Sequence, residues 1–402
     1  MTNPPFYFTW NHQPSADAAD AFPVKHAEHD EFVLADGRRV YDFLSTSFQT
    51  SFGHSHPAIK SAIQNQLDVM PIASPKSTFP LKQQVSQKLL ELFDLGPGKI
   101  FYTLSGSESV ENALKMSRKI TGRTKIAARQ KSYHGASLGA LSVTGDWRNP
   151  PHFTIDDHTI RIPEPSDDPA FEQGRQVINA AGPDTVAAII LETISGVNGV
   201  VIPSQEWYDA VQSTCRKHGI MLIMDEVLCG FGRTGPAFAF QHYGLKPDLV
   251  CTSKGITGGY IPFGAVWTSA KIAEYYDSEK LVCGLTNYAH PLGLAALDAV
   301  IDLLRDSSFH ANKHALESLF ADSMTKLSKL DKVADVRCRG LLAAIDLEGC
   351  PAPTWSECFE KGMHLYSKSN MIVVAPPFIS TVERLGEALD ILKEQIVGVA
   401  VA

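Results

Sequence analysis

The sequence predicts an α/β protein: a large domain on a mostly parallel sheet sandwiched by helices, accompanied by a smaller α+β domain. Three observations carry that expectation. Between about residues 55 and 305, short β-branched or apolar runs alternate with amphipathic stretches, as they do in βαβ units. Several of these runs are apolar on both faces, as a strand covered on both sides must be. Beyond about residue 305 the alternation gives way to a helix, two strands and a last helix. A chain of 402 residues fits two or three domains at roughly 150 residues each. The expected boundaries are 1–50 for an N-terminal segment joining the small domain, 51–305 for the large ligand-binding domain, and 306–402 for the small C-terminal domain.

Each element has its own signal. Residues 1 to about 45 carry prolines and the turn Asp36-Gly37, consistent with a leading arm and short strands. Over 108–120, Val110, Ala113, Leu114, Ser117 and Ile120 fall on one stripe and Gly122 follows, which predicts a helix and its stop. Val186-Ala-Ala-Ile-Ile-Leu191, Ile220-Met-Leu-Ile-Met224 and Leu249-Val-Cys-Thr252 read as buried strands, and they are too short for buried helices. The tail predicts a helix over about 311–330 and strands at Leu341–Ile345 and Met371–Ala375. Pro376-Pro377 closes the second of these, and a helix follows over about 382–397.

Composition narrows the class. Hydrophobic residues make up 44% and charged residues 20%, which excludes a mainly disordered chain. The 36 Lys plus Arg against 44 Asp plus Glu give a net charge of −8, and no basic run is present, so a nucleic-acid partner is not expected. No apolar stretch reaches the roughly 18 residues of a membrane span. The first Lys or Arg is Lys25, which argues against a secretory leader. Seven cysteines without a CxxC fit reduced thiols and a cytoplasmic enzyme.

Three apolar runs end in polar residues that could share one crevice, since ligands in open α/β sheets bind beyond the carboxyl ends of the strands. Ser105-Gly106-Ser107 opens a helix whose free N–H groups favour an anion, although it also reads as an ordinary N-cap supported by Glu108 or Glu111. Lys254, followed by Gly255, Gly258 and Gly259, reads either as a desolvated amine able to form a Schiff base or as a surface lysine in a flexible loop. Asp225 ends a strand and needs a partner if it is to stay ionised, or else it serves as an N-cap or in a salt bridge. Together, an anion cup, a carboxylate and an amine match the phosphate, ring nitrogen and aldehyde of pyridoxal 5′-phosphate. His54 and His56 form an HxH but lack further ligands converging in sequence, so they read as structural and no metal is expected. No GxGxxG follows a strand and no P-loop is present.

The chain resembles the class III aminotransferases, of pyridoxal-phosphate fold type I, from about Phe8 to about residue 397. It is nearest to the ω-amino acid and amine:pyruvate-type members. The most specific stretches are Met224-Asp-Glu-Val-Leu-Cys-Gly-Phe-Gly-Arg-Thr-Gly235 and Lys246-Pro-Asp-Leu-Val-Cys-Thr-Ser-Lys-Gly-Ile-Thr-Gly-Gly-Tyr-Ile-Pro262. Gly53-His-Ser-His-Pro57, Ser105-Gly-Ser-Glu108, Ser132-Tyr-His-Gly135, Thr286-Asn-Tyr-Ala-His-Pro291 and Arg339-Gly340 support them. The resemblance implies that Lys254 carries the cofactor as an aldimine and shuttles the proton, that Asp225 pairs with the pyridine nitrogen, and that Val227 and Tyr133 pack on the two ring faces. It also implies that Gly106 and Ser107 hold the phosphate with Thr286 of a neighbouring subunit in a homodimer, and that Glu192 lies near the cofactor, although Thr193 follows it where the family usually has Pro.

The implied activity is ping-pong transfer of an amino group from an amine or ω-amino donor to a keto acid, pyruvate or 2-oxoglutarate. An aminomutase, racemase or decarboxylase using the same Lys254 and Asp225 is the alternative. The sequence departs from the family where a substrate carboxylate is usually bound by Arg. Val373 stands at one such position, and Tyr366, with Lys368 nearby, is the nearest counterpart of the other. Lys368, Arg148 and Arg233 are the remaining cations that could receive a carboxylate, and Phe48 aligns with a bulky aromatic of the substrate pocket.

Overall fold

The computed structural model describes residues 6, 7, 9, 22–152 and 158–398. Phe8 and most of the expected leading arm lie outside the described residues. The described residues form two compact units, one drawn from 1–47, 53–55 and 312–402, the other from 48–52 and 56–311.

In the first unit, β1 (Val24–Glu28), β2 (Glu31–Leu34) and β3 (Arg39–Tyr41) make an antiparallel sheet. The second unit supplies β4 (Gly98–Thr103), β5 (Lys125–Arg129), β6 (Thr159–Ile162), β7 (Val186–Glu192), β8 (Met221–Asp225), β9 (Leu249–Thr252) and β10 (Gly264–Ser269). They form one sheet in the order β4-β10-β9-β8-β7-β5-β6. Only β10 runs against its neighbours. The fold class is therefore as the sequence predicts: α/β, on a mostly parallel sheet. The first unit is completed by β11 (Val333–Cys338), β12 (Ala343–Leu347), β13 (Tyr366–Lys368) and β14 (Met371–Val374), antiparallel in the order β11-β12-β14-β13.

The helix Gly106–Thr121 shows how the sequence builds the core. Ser105 is its N-cap, with Oγ accepting from Glu108 N at 3.2 Å, while Glu108 Oε2 reaches back to Leu104 N at 2.8 Å. A cap of this kind contributes about 1 kcal/mol. Arg118 and Lys119 sit in the last turn, where the helix dipole favours cations, and Gly122 ends it at φ 66°. Its buried stripe of Val110, Ala113 and Leu114 packs with Ile126, Ala128, Ala188, Ile190, Ile223, Cys251 and Val266 of the sheet. Every residue of β7, β8 and β9 is buried, so both faces of the central sheet are covered.

Two boundaries differ from expectation. The strand expected at Leu341–Ile345 runs from Ala343 to Leu347, because the chain is still turning through Arg339-Gly340, with Gly340 at φ 59°. The helix expected from about 311 begins at Ser307, where Asp306 Oδ1 accepts from Phe309 N at 2.9 Å. No helix among the described residues is long and apolar enough to cross a membrane.

Candidate active site

The carboxyl ends of parallel strands collect the chemistry-bearing side chains. Glu192 closes β7 and Asp225 closes β8, and the two are register partners on adjacent strands. Lys254 follows two residues after the end of β9, and Ser105-Gly106-Ser107 follow β4. Lys254 has a left-handed backbone, φ 46°, a conformation that costs a non-glycine residue about 1 kcal/mol. Its amine lies 5.4 Å from the centre of the Phe48 ring. Burial pushes the amine's pKa down, while Asp225 and Glu192 pull it back up.

Asp225 is buried and accepts twice. His134 Nδ1 lies 2.7 Å from Oδ2, and Val227 N donates to Oδ1 at 3.0 Å. His134 is buried too, and its Nε2 has no hydrogen-bond partner. The imidazole therefore spends its one satisfied nitrogen on orienting this carboxylate. His134 was not singled out from sequence, although it lies inside the Ser132-Tyr-His-Gly135 match.

Gly106 and Ser107 open a 16-residue helix, where the first N–H groups have no intrahelical acceptor. Ser107 Oγ accepts from Ala136 N at 3.1 Å. A Cβ built on Gly106 would sit 2.8 Å from Val227 Cγ1, so only glycine allows the helix start to approach Val227 this closely. Ser105 caps Glu108 N, and the N–H groups of residues 106 and 107 lie outside that cap, so the cap leaves the anion-binding reading open.

Glu192 Oε1 accepts from Arg129 Nη2 at 3.2 Å and from Tyr133 N at 3.1 Å, and Arg129 Nη1 also binds Glu164 at 2.9 Å. Burial raises the Glu192 carboxyl, with Arg129 and then His134 opposing it. Glu226 is fully buried and is pushed up to about 7 by burial, opposed by hydrogen bonds from Thr193 Oγ1 (2.5 Å), Ala239 N (2.9 Å) and Phe240 N (2.8 Å). Thr193 thus has a structural task at the position where relatives usually have Pro.

Tyr133 is half-buried, with the Arg148 guanidinium 4.5 Å from its ring centre. Thr286 is exposed, on a turn. Tyr366 and Lys368 lie on β13, in the other unit, and Val373, fully buried on β14, pairs with Tyr366 and Ala344. Arg233 is fully buried and donates to Ser51 Oγ at 2.7 Å. His54 Nε2 lies 2.9 Å from buried Asp42, a structural contact. No group of side chains that could hold a metal occurs among the described residues. An amine, a carboxylate oriented by an imidazole, a stiff apolar residue and a helix N-terminus make a donor set that fits pyridoxal 5′-phosphate.

The family model for class-III aminotransferases matches residues 14–396. An omega-aminotransferase of Caulobacter vibrioides is 32% identical over 395 residues, 89% of either chain. An acetylornithine aminotransferase of Methanothermobacter thermautotrophicus is 31% identical over 360 residues, again 89% of either chain. Among solved structures, a taurine:2-oxoglutarate aminotransferase from Bifidobacterium kashiwanohense, in complex with PLP and glutamate, superposes with a TM-score of 0.91 at 31% identity. That match covers 97% of this chain and 95% of the other.

Proposed function

This chain belongs to the class-III aminotransferases and is a pyridoxal 5′-phosphate-dependent transaminase, and on that premise we propose that its donor is an amine or ω-amino compound and its acceptor pyruvate or 2-oxoglutarate. The observation that carries the donor assignment is Val373. A buried valine stands where relatives that clamp an α-carboxylate carry Arg, and a guanidinium fork is what such recognition needs. The omega-aminotransferase and taurine aminotransferase relatives support the same donor class.

When bound, the cofactor supplies an electron-withdrawing ring that acidifies the Cα–H bond of the substrate amine. Lys254 would hold the cofactor aldehyde, and its Nζ would move the substrate proton. Burial lowers its pKa, which keeps more of the amine neutral at working pH. Asp225, oriented by His134, holds a proton at the ring nitrogen. Val227 and Tyr133 bound the ring, Gly106 and Ser107 bind the phosphate, and Glu192 braces the Tyr133 backbone. Thr286 of the partner subunit completes the phosphate site in a homodimer. The exposed apolar Val69, Ile72 and Val282 give the second unit surface to bury in such a dimer. Phe48 shapes the pocket beside the Lys254 amine. One site serves both half-reactions in turn, so the kinetics are ping-pong.

A donor and acceptor panel tests this, read by the cofactor's absorbance. Amines and ω-amino acids should convert the enzyme to its aminated form, and a keto acid should restore it, with parallel double-reciprocal lines. Borohydride treatment followed by peptide mapping should mark Lys254. Ornithine or another α-amino acid turning over as fast as the best amine through its α-amino group would overturn the donor assignment. Full turnover without any keto acid would favour a mutase or racemase.

A further inference from the structure

One nitrogen of the Arg148 guanidinium and the residue's backbone N–H are both held by Asp146. Arg148 N donates to Asp146 Oδ1 at 3.0 Å, and its Nη1 makes a short ion pair with Asp146 Oδ2. Asn198 Nδ2 donates to the same Oδ2 at 3.1 Å and so fixes the carboxylate. The two side chains are only 10% and 6% exposed. Two aromatic rings lie against the guanidinium, Tyr133 at 4.5 Å and Trp147 at 4.8 Å. A carboxylate is received along an in-plane N–H edge of a guanidinium, and here Asp146 Oδ2 already takes the Nη1 position.

We propose that Arg148 is a positioning residue. Held by Asp146 and Asn198 and packed against Trp147, it fixes the plane of the Tyr133 ring so that the ring's other face stacks on the cofactor. It does not receive a substrate carboxylate. Tyr133 is then held twice, at its backbone N–H by Glu192 Oε1 and at its ring by Arg148. A cation against the outer face of an aromatic ring is favourable when partly desolvated, and a planar guanidinium stacks where an ammonium cannot. The inference rests on the proposed role of Tyr133 as a ring face for the cofactor.

The test compares Arg148→Met, Arg148→Lys and Asp146→Asn with the unaltered holoenzyme. The readouts are cofactor affinity from titration of the apoenzyme, the visible circular dichroism of the bound cofactor, and separate kcat and KM for a neutral amine and for the keto acid. Arg148→Met should weaken cofactor binding about 3- to 30-fold and diminish the visible dichroism. It should also lower kcat for both substrates without a selective rise in KM for the acid. Arg148→Lys should recover only part of the loss. Asp146→Asn, which leaves Arg148 in place but removes the ion pair at its Nη1, should change the dichroism in the same direction, and it carries the test if Arg148→Met fails to fold. A selective rise in KM for the keto acid, with affinity and dichroism unchanged, would show that Arg148 is a carboxylate receptor and overturn the proposal. Failure of borohydride to label Lys254 in the unaltered enzyme would sink the proposed function itself, whereas intact labelling with unchanged dichroism in all variants sinks only this inference.

Discussion

Gly106→Ala is the sharpest perturbation available, because it adds one methyl group at the point where the helix start meets Val227. The new Cβ would lie 2.8 Å from Val227 Cγ1 and 3.0 Å from Cγ2, well inside van der Waals contact. Val227 is β-branched and stiff at χ1, so it cannot rotate out of the way cheaply. Overpacking of this kind costs about 1 to 3 kcal/mol, and replacing Gly by Ala in a helix returns up to about 1 kcal/mol. Global stability should therefore fall by no more than about 3 kcal/mol. The relief must come either from Val227 moving toward the cofactor ring or from the N–H groups of residues 106 and 107 drawing back from the phosphate, and both weaken cofactor binding. A displacement worth about 1 to 2 kcal/mol lowers cofactor affinity about 5- to 30-fold. The assay is cofactor titration of the apoenzyme, with thermal melting as the control for folding. In a Val227→Ala background, which removes both Cγ atoms, Gly106→Ala should cost less than half the affinity that it costs in the original protein. Cofactor binding by Gly106→Ala equal to that of the original protein, or an equal loss with and without Val227→Ala, refutes the reasoning.

Two further outcomes follow from the same site. His134→Phe keeps an aromatic ring but removes the 2.7 Å donor from Asp225. A buried acceptor left short of a partner costs about 1 to 3 kcal/mol, so kcat/KM should drop about 10- to 100-fold. His134→Asn should restore part of it, and an unchanged kcat/KM would remove His134 from the machinery. Glu226 has its folded pKa raised from 4.5 to about 7, so the native state binds more protons than the unfolded chain between those values. Its contribution is full below pH 4.5 and is lost as pH rises through about 7, a change of about 3 kcal/mol. In denaturant unfolding, Glu226→Gln should therefore gain on the original protein as pH is raised from 5 to 8. A stability difference that stays constant across that range contradicts the assignment.

What the sequence disclosed follows from the range of each interaction. β7, β8 and β9 are legible because both of their faces are covered, which leaves an uninterrupted apolar run. β11 is not, because most of its residues are exposed or half-buried, and β5 is not, because Lys125 and Arg129 bracket only three apolar residues. Lys254, Asp225 and Ser107 announce themselves through their position at the end of a strand or the start of a helix, which is local. His134 lies 91 residues from the aspartate it orients, and Arg129 joins Glu164 and Glu192 across 35 and 63 residues. Those contacts exist only because β6, β5 and β7 lie side by side and β7 pairs with β8, an arrangement no short motif encodes. The Arg148 and Asp146 pair is two residues apart, yet its meaning depends on Tyr133 arriving from another segment.

The same long-range contacts decide the state of the Lys254 amine. Burial alone would favour its neutral form, but Asp225 and Glu192 both pull toward the ammonium. Two ionised carboxylates at adjacent strand ends would win much of that contest. The protein weakens the pull on both sides. Burial drives Glu192 toward its neutral form, and where the carboxylate stays charged, buried Arg129 opposes that rise and offsets its charge. Asp225 is engaged by His134 and by the Val227 amide. With its carboxylate neighbours occupied, desolvation remains the larger influence on Lys254, and the amine's pKa stays below its ordinary value. On this reasoning Arg129 matters to the lysine without touching it. Breaking the Arg129 pair with Glu192 would remove the cation that opposes the burial-driven rise of the Glu192 carboxyl, and with more of that carboxyl neutral its pull on the Lys254 ammonium would weaken.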